Sequence, residues 1–175
     1  DARRVADAIG RPEEGARLTN EMGARLAALS TLTHGRPKPR LAFVEWIEPA
    51  MSGGHWMPEL IDTAGGINLF GETGANSPWI AWEDVAAADP DVILVAPCGY
   101  DLAVTRREMA ALHGHQVWNG LRAVLAGEVY LADGNAFFNR PGPRLVESAE
   151  ILAEIFHPDV ASFGHRGMSF ERFFV

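Results

Sequence analysis

The chain has 175 residues, 47% of them apolar, and carries a formal charge of −8 from fifteen Lys and Arg against 23 Asp and Glu. That apolar share suffices for one well-packed α/β core, while the acidic balance and the scattered basic residues oppose contact with phosphate backbones and exclude nucleic acid as a partner. The lone cysteine, Cys98, rules out an internal disulfide and any zinc site built on several thiolates, and no apolar run reaches the roughly eighteen residues that a membrane span requires.

In chain order, Asp1 to Ile9 reads as an amphipathic helix with no initiator methionine or leader before it, so the start looks internal to a longer, processed or truncated product. Pro12 suits the first turn of a second helix, where its missing N–H costs nothing, and Leu18, Met22, Leu26 and Leu29 then recur at helical spacing to about His34. Gly35, Pro37 and Pro39 end it. At ~1.5 Å per residue this helix is on the order of 30 Å long, enough to bridge two lobes, although the same pattern serves a packed N-terminal helix equally well.

Three short β-branched and aromatic runs read as buried strands: Leu41 to Ile47, Asp91 to Ala96 and Glu128 to Ala132. Helical stretches fall at about Trp56 to Ala64, Trp82 to Ala88, Leu102 to Leu112 and Trp118 to Leu125, and a last helix runs from about Pro143 to Phe156. Alternation of this kind predicts an α/β fold: a single lobe with a mostly parallel sheet flanked by helices, preceded by a long N-terminal helix. The tail after Pro158 has four phenylalanines without a clear period, and these rings are expected to pack back onto the domain.

The loops after the three strands, EWIEPAMSGGHW, APCGYD and DGNAFFNRPGPR, are rich in aromatic, glycine and proline residues. In open α/β sheets ligands bind beyond the carboxyl ends of the strands, so these loops are expected to share one rim. There Trp46, Trp56, Trp79, Trp82, Phe137 and Phe138 would present flat apolar surface, with Arg140, Asn135 and His55 as orienting polar groups, an inventory suited to a large, flat, mostly uncharged ligand. Ordinary core packing is the competing explanation for each ring.

Enzyme chemistry has less support. Ser52-Gly53-Gly54-His55 lacks the G-x-S-x-G pattern of a nucleophile elbow, and His113-Gly114-His115 has no neighbouring carboxylate or thiolate to complete a metal site. Neither a G-x-G-x-x-G after a strand nor a phosphate-binding G-x-x-x-x-G-K-[ST] is present. Glu83 and Asp84 sit in the first turn of a helix, where the dipole favours carboxylates by ~0.3–1 kcal/mol.

The stretches EWIEP, GHWMPELIDTAGGINLFGE, WEDVAAADPDVILVAPCGYD and LRAVLAGEVYLADGNAFFNRPGPRLVESAEIL together resemble the cobalamin-binding proteins of the helix-linked class of ABC importer binding proteins, whose members also bind haem and ferric siderophores. The resemblance covers about residues 40–157. It implies two α/β lobes joined by a long helix, with residues 1–36 as the connecting helical segment, 37–175 as the C-terminal ligand-binding lobe, and no counterpart of the N-terminal lobe in this chain. It further implies a corrinoid held in the cleft between lobes as a transported ligand, no catalytic cofactor or protein-bound metal, a periplasmic or cell-surface location, and delivery to the subunits of an ABC permease. Glu83 matches the glutamate with which this lobe docks on permease arginines. Trp79 or Trp82 falls at the family's aromatic ligand wall, Asp133, Phe137, Phe138 and Arg140 map to the loop laid against the corrin edge, and Trp46, His55 and Trp56 map to the first-strand loop. An apolar surface left by the missing lobe would favour self-association as a dimer. A haem or ferric siderophore binder is the nearest alternative, and a small α/β enzyme the alternative from another class.

Overall fold

The computed structural model describes residues 1–174. Helix α1 (Ala2–Ala8) lies against α2 (Pro12–Thr33), where Pro12 takes the first turn beside Glu13 and Glu14. The two approach closely because Gly15 has no Cβ: one placed there would stand 2.3 Å from the Ala6 Cβ. Arg3 ties the pair by donating to Thr19 Oγ1 at 2.8 Å and Asn20 Oδ1 at 2.9 Å.

Then follow β1 (Arg40–Trp46), β2 (Met51–Ser52), α3 (Met57–Thr63), β3 (Ile67–Asn68), α4 (Trp82–Ala88) and β4 (Val92–Val95). Next come α5 (Leu102–Glu108), α6 (Gln116–Gly120), α7 (Arg122–Leu125), β5 (Val129–Ala132), α8 (Leu145–Phe156) and β6 (Phe170–Phe173). The strands form one sheet in the order β2-β1-β4-β5-β6, with β3 also pairing β1. Pairs β1–β4, β4–β5 and β1–β3 are parallel, and the antiparallel partners β2 and β6 lie at the two edges. The predicted mostly parallel sheet flanked by helices is the observed one.

Alternation along the strands sorts the core into two layers. Leu41, Phe43, Leu94 and Tyr130 face one way and pack with α3, α8 and Leu29 of α2. Ala42, Val44, Ile93, Val95 and Leu131 face the other way, toward Trp82, Val85, Met109, Leu112, Trp118 and Val124. The helical segment 1–36 is therefore seated on the lobe along its second half.

Three details depart from the sequence reading. The helix expected over Trp118–Leu125 breaks into α6 and α7 because Leu121 is extended and buried as it turns into the core. The helix expected over Leu102–Leu112 tightens into a 3-10 turn at Met109–Leu112. Helix α8 buries every face rather than one, including Glu150 and Glu154, because the tail wraps it. Buried carboxylates need partners. Arg25 of α2 donates to both oxygens of Glu150, at 2.8 and 2.7 Å from Nη2, while Glu154 accepts the backbone N–H groups of Phe163, His165 and Arg166. Of the tail rings, Phe170 is fully buried, whereas Phe163 and Phe174 stay exposed.

Candidate ligand-binding site

Helices enter and leave the sheet so that the segments after β1, β4 and β5 meet beyond the carboxyl ends of these three parallel strands. Backbone contacts lock the segments together. Cys98 N–H donates to the Glu45 carbonyl at 3.1 Å, Asn135 N–H donates to the Tyr100 carbonyl at 3.1 Å, and the Asn139 carboxamide donates to the carbonyls of Gly134 and Pro97. Gly134 is required by the approach, since a Cβ there would stand 2.2 Å from the Pro97 oxygen. Residues Gly134–Phe138 form a single π-helical turn, an uncommon conformation often found where a chain is shaped for a ligand.

On this rim Trp46 is half-buried and lies 5.3 Å, centroid to centroid, from the Tyr100 ring. Trp56 is half-buried and donates from Nε1 to the Phe138 carbonyl at 3.2 Å, stitching the first loop to the third. The exposed His55 ring lies 5.7 Å from that of Trp56. Phe137 is half-buried beneath the Arg144 guanidinium, which sits 5.8 Å from the ring centroid. Arg140 is exposed and donates to Asn135 Oδ1 at 3.0 Å. Asn135, Arg140 and Arg144 line an open depression of about 520 Å³.

The structure separates the remaining expected residues by what they touch. Trp79 is 65% exposed, whereas Trp82 is 4% exposed, its ring edge-on to Trp118 at 5.1 Å, so Trp82 belongs to the core and only Trp79 offers a free face. The reason is the start of α4, which turns the indole inward two residues after Ile80 donates its N–H to Ala50. Phe138 is likewise core, 1% exposed and 5.6 Å from the Phe43 ring, because the π turn points it under the loop. Asp133 spends its carboxylate on that turn, accepting the Ala136 N–H at 2.7 Å. Glu83 is exposed at the start of α4. Sequence reasoning missed Tyr100 as a rim residue, although its place just after β4 was the available signal.

A buried Ser52, its hydroxyl shut away from the surface, leaves the Ser-Gly-Gly-His segment without a reachable nucleophile. No group of three or more His, Cys, Asp or Glu among the described residues is arranged to hold a metal ion. The ionisable groups displaced from their ordinary ranges lie elsewhere. The Arg40 backbone N–H holds the Asp91 carboxyl low, with Arg122 assisting, while burial pushes Tyr130 up and His157 down.

Residues 1–136 match a family model described as periplasmic binding protein. The vitamin B12-binding protein of Vibrio cholerae is 27% identical over 145 residues, an alignment covering 79% of this chain and 48% of that protein. The chain thus spans about half the length of the curated relatives it matches. Among solved structures, an ABC transporter substrate-binding protein from Listeria monocytogenes superposes with a TM-score of 0.78 at 18% identity, over 90% of this chain and 62% of the other. A periplasmic heme binding protein from Pseudomonas aeruginosa gives 0.74 at 21% identity, over 91% and 58%. The periplasmic vitamin B12 binding protein of Vibrio cholerae gives 0.65 at 24%, over 82% and 54%.

Proposed function

The chain belongs to the periplasmic binding protein family, and from that premise we propose that it is the C-terminal ligand-binding lobe of the substrate-binding protein of an ABC importer, working outside the cytoplasmic membrane and holding a corrinoid. The observation that carries this reading is the joined rim, where Trp46, Tyr100 and Trp56 offer apolar faces next to the polar Asn135 and Arg140. Flat rings with a few fixed hydrogen-bonding groups suit a large planar ligand whose periphery is amide-rich. The likeness in sequence to a vitamin B12-binding protein supports the corrinoid within that class.

A second reading takes haem as the ligand. It is favoured by Arg140 and Arg144 side by side on the depression, where two guanidiniums would receive carboxylates, and by the fold shared with a heme binding protein. Titration with cyanocobalamin, haem and a ferric catecholate, following the visible spectrum and tryptophan fluorescence, tests both. Saturable binding of cyanocobalamin in preference to the others is expected, and preference for haem would transfer the assignment to the second reading.

Delivery to a permease is assigned to Glu83, whose exposed carboxylate at the start of α4 is free to meet a cationic side chain. Val5 and Ile9, 60% and 68% exposed on α1, are the apolar residues through which copies of the chain would associate.

A further inference from the structure

Gly53-Gly54-His55-Trp56 runs from β2 into α3 at the rim, and His55 adopts a left-handed backbone with φ 53°. A side chain rarely occupies that region unless its surroundings impose it, and such residues concentrate at ligand sites. Here the imposition is complete. The His55 N–H donates to the Ala75 carbonyl at 2.7 Å, and its own carbonyl accepts the Gly74 N–H at 2.8 Å. Next to it, Gly54 packs so tightly that a Cβ would stand 2.5 Å from the Ala75 oxygen. The Gly54 N–H donates to Ser77 Oγ at 3.2 Å, and Ser77 in turn donates to Glu45 at the end of β1 at 2.7 Å. The backbone is fixed on both sides, yet the imidazole it carries is exposed.

The other histidines show how unusual that combination is. His115 accepts the Trp118 N–H through Nδ1, His157 contacts the Gly65 carbonyl, and His165 lies between Glu150 and Ser169. Among the described residues the rings of His34, His55 and His113 have no hydrogen-bond partner in the chain. His34 follows the end of α2 and His113 the end of the 3-10 turn, so neither lies in a segment directly following β1, β4 or β5. His55 alone stands on the rim, against Trp56.

We propose that the His55 imidazole is an axial ligand to the metal of the bound macrocycle. This inference rests on the reading of the rim as a corrinoid site. In the step it requires, the lone pair of a neutral ring nitrogen enters an axial position of Co(III) and a water molecule leaves. One Co–N bond forms, one Co–O bond breaks and no electron is transferred. Trp56, beside the ring, supplies an apolar face for the macrocycle as it seats. A metal whose two axial positions are already taken by cyanide gains nothing from His55.

The test compares diaquocobinamide with dicyanocobinamide on the whole chain, using wild type and His55→Asn, since asparagine tolerates the left-handed backbone. Circular dichroism and a thermal melt confirm that the variant is folded. Wild type is expected to bind diaquocobinamide at least tenfold more tightly than dicyanocobinamide, with a shift in its visible bands. His55→Asn should lose both the preference and the shift while binding dicyanocobinamide as wild type does. Equal affinities of wild type for the two probes, or a preference that survives in His55→Asn, overturn the axial role and leave the corrinoid site standing. Failure of wild type to bind either probe overturns the corrinoid reading and this inference with it.

Discussion

Where the parallel strands begin, Arg122 bridges Asp89 at 2.8 Å and Asp91 at 3.0 Å, Lys38 meets Asp62 at 2.7 Å, Arg36 meets Asp159 at 2.8 Å and Arg172 meets Glu128. Where the strands finish, His55, Arg140 and Arg144 make no ion pair among the described residues, and Trp46, Tyr100 and Trp79 keep exposed faces. The two ends draw on similar residue types. At the first end the charges are neutralised by neighbours and hold loops in place, whereas at the second the donors and rings are positioned by backbone contacts and left open. A group already paired must be desolvated and separated before it can serve a ligand, which supports placing the proposed ligand at the end where the strands finish.

The largest effect should fall on the strands that connect the ends. Leu94 is fully buried at the centre of β4, between Phe43 and Tyr130, and Leu94→Ala should lower unfolding free energy by about 2–5 kcal/mol in urea titrations. The rim comes next. Trp46→Ala should weaken cyanocobalamin binding by roughly 1.5–3 kcal/mol, about ten- to a hundredfold, as read by fluorescence. Unchanged affinity would move the ligand off this rim and end the contrast between the two ends.

Glu83→Ala sharpens the comparison, because it removes an open charge that the ligand reading does not use. Ligand affinity should stay the same, while association with the permease weakens by about 1–3 kcal/mol and folding loses only ~0.3–1 kcal/mol. Vesicle transport measured beside solution binding separates these, and unchanged transport would leave Glu83 as a first-turn carboxylate only.

The smallest effect concerns His157 at the paired end. Burial lowers its pKa, so the folded state favours the neutral ring and the unfolded chain takes up the proton first as pH falls below about 6.5. Its contribution is fully present above that value and is lost as pH falls through the lowered folded one. Urea midpoints at pH 8 and pH 5 should differ more for wild type than for His157→Gln. Equal losses would place the acid sensitivity elsewhere, with Asp91 acting only at still lower pH.

The short apolar and aromatic run from Leu41 to Ile47, flanked by prolines, was enough to place β1, and the same local logic placed β4 and β5 and brought the start of the last helix to within two residues of Leu145. Pro12 and Trp82 mark helix starts by their immediate neighbours alone. Local pattern also put aromatic loops after strands and hence predicted a shared rim. What it could not supply was any feature whose stability comes from a distant partner. Two-residue β2 and β3 exist because β1 has an edge to pair, and β6 exists because it lies beside β5. Trp79 and Trp82, three residues apart, have opposite environments because one precedes the turn into α4 and the other follows it against Trp118. Periodicity reports which residues prefer burial, but a side chain's final direction depends on the packing of segments that the chain brings together only when it folds. The left-handed His55 belongs to that second kind, since its conformation is held by Gly74 and Ala75, some twenty residues further along.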